Sequence, residues 1–597
     1  MKDRRTGGLA LAVTGLALLS AIAGVPSVGA QTVPPADMVL RGGVVYTVDA
    51  DGSVAEAVAI TDGRIVYVGD DVGAQAYVGA DTQQINLAGR MLMPGIHDAH
   101  AHPLSAGQGL RECSLDYAAL TIEETKSVIS ACLQETVDQE PDGWLTVLYW
   151  DFQGMLPTGT IPSRADLDEL ATSRPIIVFG LDGHQAWVNS RALELAGVDA
   201  STPDPPDGEI VRDAEGDPTG LLFDGAIGLV ARLIPSPTLD DDADSLEEAM
   251  VTFLEQGITS FLDAATGRRD LRVYARMNEQ VPLTPRESVA VVLSERDLTR
   301  LEATMRYLRG LEAGFDGDRL WVRTVKLFFD GVIEFPTQTA ALLRPYRVNA
   351  GTERNPDWVF GKSRGRLYFE PEIATRGIGR LDRAGWQVHV HAIGDRAVRT
   401  ALDAFEVALE ENGPSDLPHA IAHLELVHPA DVRRFDDLGV VADMQLQWAE
   451  RDPYTIDALK PYIGPARWRH LYPAGSLLRA GATLAGGSDW PVDPLNPWRQ
   501  IEQAVTRELG VDYYDGYAGA LGPDEAISLE DAIAMHTIGG AIQLGRQDET
   551  GSIEVGKLAD VIVLDRNLLE IPIQDVSETQ VLLTLIGGEI AHGVLTV

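Results

Sequence analysis

Cysteine is nearly absent from this chain: Cys113 and Cys132 are the only two in 597 residues. Neither lies near the N-terminal segment that a lipoprotein would process, so a lipid-modified cysteine is not expected. In an exported protein two such residues can pair; otherwise they are buried thiols, and the sequence leaves both readings open. Basic residues are scarce, 48 Lys and Arg against 89 Asp and Glu, for a formal net charge of −41. That surplus repels phosphates and argues against a nucleic-acid partner, and its simplest use is solubility. Long apolar runs are missing after the first residues, so no stable membrane span is expected in the mature protein. Solenoid-type repeats and long low-complexity stretches are missing too. What remains, 45% hydrophobic and 23% charged residues, is the balance of a folded globular protein. At this length it has room for one large barrel with insertions, or several domains.

The N-terminus reads as an export signal over residues 1–30. Lys2, Arg4 and Arg5 precede an apolar run from Leu9 to Ala23, and Val28-Gly29-Ala30 offers small residues for cleavage before Gln31. A secreted or periplasmic location is therefore expected. General secretion fits better than twin-arginine export, for which Arg4-Arg5 is the only sign. Residues 36–93 and 549–597 are both built of short strand-like runs with turns, such as AVAITDGRIVYVG and GSIEVGKLADVIVLD. Two β-rich ends predict one small β-sandwich made from both termini, with the middle inserted into it.

The middle, residues 94–548, alternates strand-like runs with helical patterns, the signature of a parallel sheet. Eight such runs are present: MLMPGIHDAH, GITSFLDA, ESVAVVL, TVKLFFDG, QVHVHAIG, HAIAHLEL, VVADMQL and TLAGGSDW. Eight βα units match an α/β TIM (β/α)8 barrel. The gap of about 150 residues between the first and second runs far exceeds one βα connection. It predicts an inserted subdomain over 112–245, placed across the barrel mouth.

Polar residues with metal-binding chemistry stand at the ends of these apolar runs: His100 and His102, Lys326, His391, His423 and Asp489. Parallel barrel strands all open their C-terminal ends on one face, so residues far apart in sequence can converge there. Residues two apart in a strand share a face, which lets His100 and His102 address one cation. Imidazole is a common ligand for zinc-like metals; His391 and His423 end successive strands among only 12 histidines. His389 shares the face of His391 one layer deeper, behind the site or in the core. Asp489 can ligate and also accept a proton; as a helix N-cap it would be ill placed, because Pro491 and Pro494 delay any helix. Lys326 sits in the apolar run VKLFF, where a bare ammonium is costly. It either pairs with a carboxylate, for which Asp330 is the candidate, or takes up CO2 as an anionic carbamate.

This pattern, with PGIHDAHAHP, DGHQAWVNSRAL, VKLFFDG, VHAIGDRAV and GGSDWPVDPLNPW, resembles the amidohydrolase superfamily. It is most similar to the YtcJ-like branch that includes the N-substituted formamide deformylases, and the likeness runs over nearly the whole mature chain. The resemblance implies a binuclear site, commonly two zinc ions. His100 and His102 would hold one metal, with Asp489, and His391 and His423 the other, bridged by a CO2-derived carbamate on Lys326. It implies hydrolysis of a small amide-type substrate at a non-peptide carbon–nitrogen bond, with Asp489 as the catalytic proton carrier. His184 and Trp187, in the DGHQAW motif, would reach the substrate. A homodimer is left open. Three departures concern the substrate pocket: Ala422-His423 where relatives carry Glu-His, Leu262-Asp263 where they carry His-Asp, and VIEFPTQ after Asp330-Gly331. The alternatives are an inactive binding or regulatory protein of the same fold, or a lyase or isomerase of the same superfamily.

Overall fold

The computed structural model describes residues 33–136, 143–157, 159–181, 183–205, 208–281, 283–317, 319–352, 354–508 and 517–595. The expected export signal at 1–30 lies outside them. Eight parallel strands form the central sheet: β1 (Ile96–Ala101), β2 (Ile258–Thr266), β3 (Arg286–Val292), β4 (Leu320–Phe328), β5 (Gln387–Ala392), β6 (Ala420–His423), β7 (Val441–Met444) and β8 (Leu484–Gly486). They neighbour one another in chain order. They correspond to the eight runs read from the sequence. Most of their residues are buried, because helices cover a parallel sheet and its interior fills with side chains.

No ladder joins β8 to β1; the loop after β8 closes the ring instead. Asp489 N donates to His100 O at 2.7 Å, and His102 N donates to Trp490 O at 2.8 Å. Between them, the buried Asp98 carboxylate takes the Ser488 amide at 2.9 Å and the Ser488 hydroxyl at 2.6 Å. The first run needs one correction. MLMPGIHDAH is two strands, since Met91–Pro94 pairs with Val561–Val563 of the outer sheet and only Ile96–Ala101 enters the barrel. Gly95 makes the break: a Cβ there would lie 2.2 Å from Thr259 Oγ1, so only glycine lets β1 start this close to β2.

Strands from both ends of the chain form one eight-stranded sheet, in which Val561–Leu564 lies beside Met91–Pro94. Leu40, Val58, Val561 and Leu583 share its core. Arg286, at the start of β3, grips Asp560 of this sheet through two hydrogen bonds of 2.6 and 2.9 Å, which joins the two bodies by a planar ion pair.

The insertion has a six-stranded sheet and a core of its own. Its cysteines are paired, Cys113 with Cys132, at a Cα separation of 5.8 Å. Its C-terminal limit is earlier than 245. The helix Leu239–Glu255 runs through that position and packs Ala243, Leu246 and Ala249 into the barrel core. Among the described residues no helix is long and apolar enough to cross a membrane.

Candidate metal centre

The six polar residues meet at the C-terminal end of the barrel. His100 ends up inside β1, but His102 falls just past it, because Pro103 stops the strand and starts the helix Pro103–Leu110. Their rings stand edge-on with centroids 5.4 Å apart. Asp489 lies three residues beyond β8 rather than at its end. Its Oδ1 is 2.9 Å from His102 Nε2 and 3.4 Å from His100 Nε2, and its Oδ2 is 3.9 Å from His423 Nδ1. The His391 and His423 rings are 4.4 Å apart, and His423 is 4.8 Å from His100. Lys326 Nζ is 3.3 Å from His100 Nε2 and 4.8 Å from the Phe328 ring centre. His423 (φ 76°) and Asp489 (φ 53°) both hold left-handed backbone. That conformation is costly for these residues and persists where the surroundings enforce it.

Electrostatics keeps these donors in the state a cation needs. Burial, then Lys326, hold His100 well below the usual imidazole range. Burial and the same amine lower His391 to about 3. Burial and His391 hold His423 well below as well. All three are neutral at pH 7, with lone pairs available. Burial also lowers Lys326 to about 8, against the pull of Asp489 and Asp443.

The donor set fits a divalent metal. One ligand atom from each of His100, His102 and Asp489 lies within 4.8 Å of the other two. His423 Nδ1 is buried without a hydrogen-bond partner, an expensive arrangement in a protein interior unless another group binds it. A second trio, His100, His389 and Asp443, meets the same distance criterion. It lies beneath the first. His100 turns Nε2 toward Asp489, while its Nδ1 is 2.9 Å from His389 Nε2 and 3.8 Å from Asp443. Gln543 and Gln445 donate to that aspartate at 2.8 and 3.0 Å. Such a support fixes the tautomer and orientation of a ligating imidazole.

The structure corrects two readings. Asp330 is not the partner of Lys326; its carboxylate accepts the backbone amides of Ala341, Ile393 and Gly394 at 2.8, 3.0 and 2.9 Å. Trp187 does not face the substrate cavity. It is fully buried in the core of the insertion beside Trp150, and its indole donates to Ser163 O at 2.8 Å. All four residues of the strand Gln185–Val188 are buried, and of this motif only His184 and Gln185 border the cavity. Trp187→Ala is thus expected to destabilise the insertion by about 3–5 kcal/mol, read in a thermal or denaturant melt. His184 does line the cavity, with Nδ1 at 2.7 Å from Asp224 Oδ1.

That cavity, of about 380 Å3, has His100, His102, His391, His423 and Asp489 in its floor and residues of the insertion, Tyr117, Asp151 and His184, in its wall. Sequence reasoning missed Asp443. Its signal was the one that exposed Lys326, a charged residue inside an apolar strand. The contacts between Asp98 and Ser488 left no such trace.

Comparison with known proteins agrees with this geometry. Residues 83–592 match the model of the amidohydrolase family. YtcJ of Bacillus subtilis is 28% identical, over 92% of this chain and 98% of its own. The N-substituted formamide deformylase of Arthrobacter pascens is 27% identical, over 93% of this chain and 98% of its own. An uncharacterized metal-dependent hydrolase from Pyrococcus furiosus superposes with a TM-score of 0.67 at 26% identity, covering 89% of this chain and all of that one. With its barrel and a match over most of its length, this chain belongs to the amidohydrolase family, in the YtcJ-like branch.

Proposed function

We propose that this protein is an exported hydrolase of small amide-type substrates, cleaving a non-peptide carbon–nitrogen bond at a two-metal centre. The observation that carries the reading is the meeting of four histidines and Asp489 at the floor of one cavity, with the buried Lys326 amine against His100 beneath it. His100, His102 and Asp489 would hold one divalent ion and His391 and His423 the other, with zinc as the expected metal. Ions held there supply Lewis-acid polarisation of the carbonyl and a lowered water pKa. Asp489 borders both the histidines and the cavity, so it is placed to take a proton from the attacking water and return it to the leaving nitrogen. His389 and Asp443 keep His100 oriented through these events. The insertion wall limits the entry of bulk water.

Lys326 fits a carbamate better than a free ammonium, because it is fully buried and Asp330 is engaged elsewhere. The neutral amine would add to CO2, forming a nitrogen–carbon bond and releasing one proton, to give an anionic two-oxygen bridge. Incubating metal-loaded protein with formamides, N-acyl amino acids, cyclic amides and aryl amides tests the activity. A metal-replete protein that hydrolyses none of them favours a binding or regulatory role.

Export is supported by the basic, apolar and small-residue order of the first 30 residues and by the paired cysteines. Mass spectrometry of the mature protein from its host is expected to find an N-terminus at or near Gln31. A protein that retains Met1 inside the cell would contradict export.

A further inference from the structure

One end of the cavity carries two carboxyl groups that the hydrolytic reading does not use. Glu334 stands in the loop after β4, in the segment VIEFPTQ where this chain departs from the pattern of its relatives. Glu425 follows β6, where His423 and Leu424 (φ 53°) turn the chain off the strand line. Both line the cavity that holds the metal donors. The Glu425 carboxyl lies beside the Glu334 carboxyl and the Tyr472 hydroxyl. The backbone pins this arrangement, since Tyr472 N donates to Glu425 O at 2.9 Å. Glu425 is only 4% exposed, and its Oε2 has no hydrogen-bond partner.

Acidic side chains outnumber basic ones around this cavity. Among the described lining residues Arg499 is the one strong cation, and it faces Glu450 at 3.2 Å. Three of the other lining acids are held by the protein: Glu450 also takes the Gln503 amide at 2.9 Å, Asp452 takes Thr455 N and Oγ1 at 2.7 and 2.8 Å, and Asp151 takes Gly154 N and the Tyr454 hydroxyl at 2.7 and 2.9 Å; Asp493 lies near Arg499 and Trp448. Glu425 keeps an acceptor open, and a buried acceptor without a donor is costly. A cation with N–H groups would satisfy it and separate the two carboxyls. The walls are aromatic, with Phe328, Phe335, Trp448 and Tyr454 around the same space. Such walls suit an alkyl stem and a cation over ring faces, whereas a small inorganic ion would need a shell of oxygens.

We propose that Glu334 and Glu425 form a recognition site for an organic ammonium group carried by the substrate, so that the preferred substrates are amides bearing an aliphatic amine some bonds away from the scissile carbonyl. This substrate class rests on the hydrolase reading above; the ammonium site itself does not. With the ammonium on this pair, the rest of the molecule lies in the space above His391, His423 and Asp489.

The test separates binding from turnover. Metal-loaded Asp489→Asn protein is titrated calorimetrically with butylammonium and with 1-butanol, which share a stem and differ in charge. Butylammonium is expected to bind about tenfold tighter or more, the scale of one charge-assisted hydrogen bond. Glu425→Gln and Glu334→Gln, each added to that protein, are expected to erase the difference. Glu334 is in a half-buried loop, so its variant serves if Glu425→Gln does not fold. Equal binding of the two probes overturns the proposal. So does a preference that survives both substitutions, because the amine would then be on the metal donors. Displacement of butylammonium by sodium or calcium at equal ionic strength also overturns it, in favour of an inorganic cation site. In the wild-type enzyme, N-formyl-1,4-diaminobutane is expected to exceed N-formylpentylamine in kcat/KM by about the same factor. If neither is hydrolysed while the binding difference stands, the hydrolase reading fails and the ammonium site remains.

Discussion

Asp489→Asn is expected to lower turnover about a hundredfold to ten-thousandfold while much of the metal stays bound. The substitution keeps the shape and one ligating oxygen of the side chain. It removes the ability to hold a proton near neutral pH. The fold should tolerate it, because position 489 has φ 53° and asparagine accepts left-handed backbone better than most residues. The chain here is also held from its backbone, through Asp489 N to His100 O and Val492 N to Asp489 O at 2.8 Å. The measurement pairs kcat on the best amide of the panel with metal content by elemental analysis. Activity close to wild type would remove Asp489 from the chemistry. Loss of metal in step with activity would make it a ligand only.

Lys326→Ala is expected to abolish activity and lower the metal content together, which Asp489→Asn does not do. The Lys326 amine is fully buried, 3.3 Å from His100 Nε2. As an ammonium it would repel any cation bound among these histidines, and a poorly solvated site strengthens the repulsion. As a carbamate it contributes negative charge and two oxygens, so metal and modification stabilise each other. Alanine leaves a gap of carboxylate size, and formate or acetate added to the variant should restore part of both losses. Circular dichroism checks that the variant is folded. The deciding observation is electron density at Nζ in a metal-loaded crystal. A bare ammonium beside a fully occupied, active centre would defeat the bridging role.

The two variants also show how much of the site was legible in the chain. Each barrel strand appears in the sequence as a short apolar run, because a strand buried on both faces has almost no polar positions. A charged or imidazole side chain in such a run is therefore conspicuous, and His100, Lys326, His391 and His423 were found that way. The two β-rich ends likewise announced a shared sheet, since short strands with tight turns need partners and the middle of the chain supplies none. His102 and Asp489 were read as the last residues of such runs, although neither lies within a strand.

Other features depended on three-dimensional neighbours. The break at Gly95 depends on how close Thr259 lies on β2. Asp330 looked like a partner for Lys326 because it is four residues away, yet three backbone amides from later segments take its carboxylate. Trp187 stands in a motif that faces the cavity at His184, but its own side chain packs in the insertion core. The pairing of Glu334 with Glu425 joins loops after different strands. The sequence by itself determined which elements form, which family they build and which donors stand at the strand ends, because burial and periodicity are local patterns. Only the tertiary structure decided which side chains meet in the cavity and which carboxylates are satisfied, because those contacts join residues far apart in the chain whose distances no local pattern encodes.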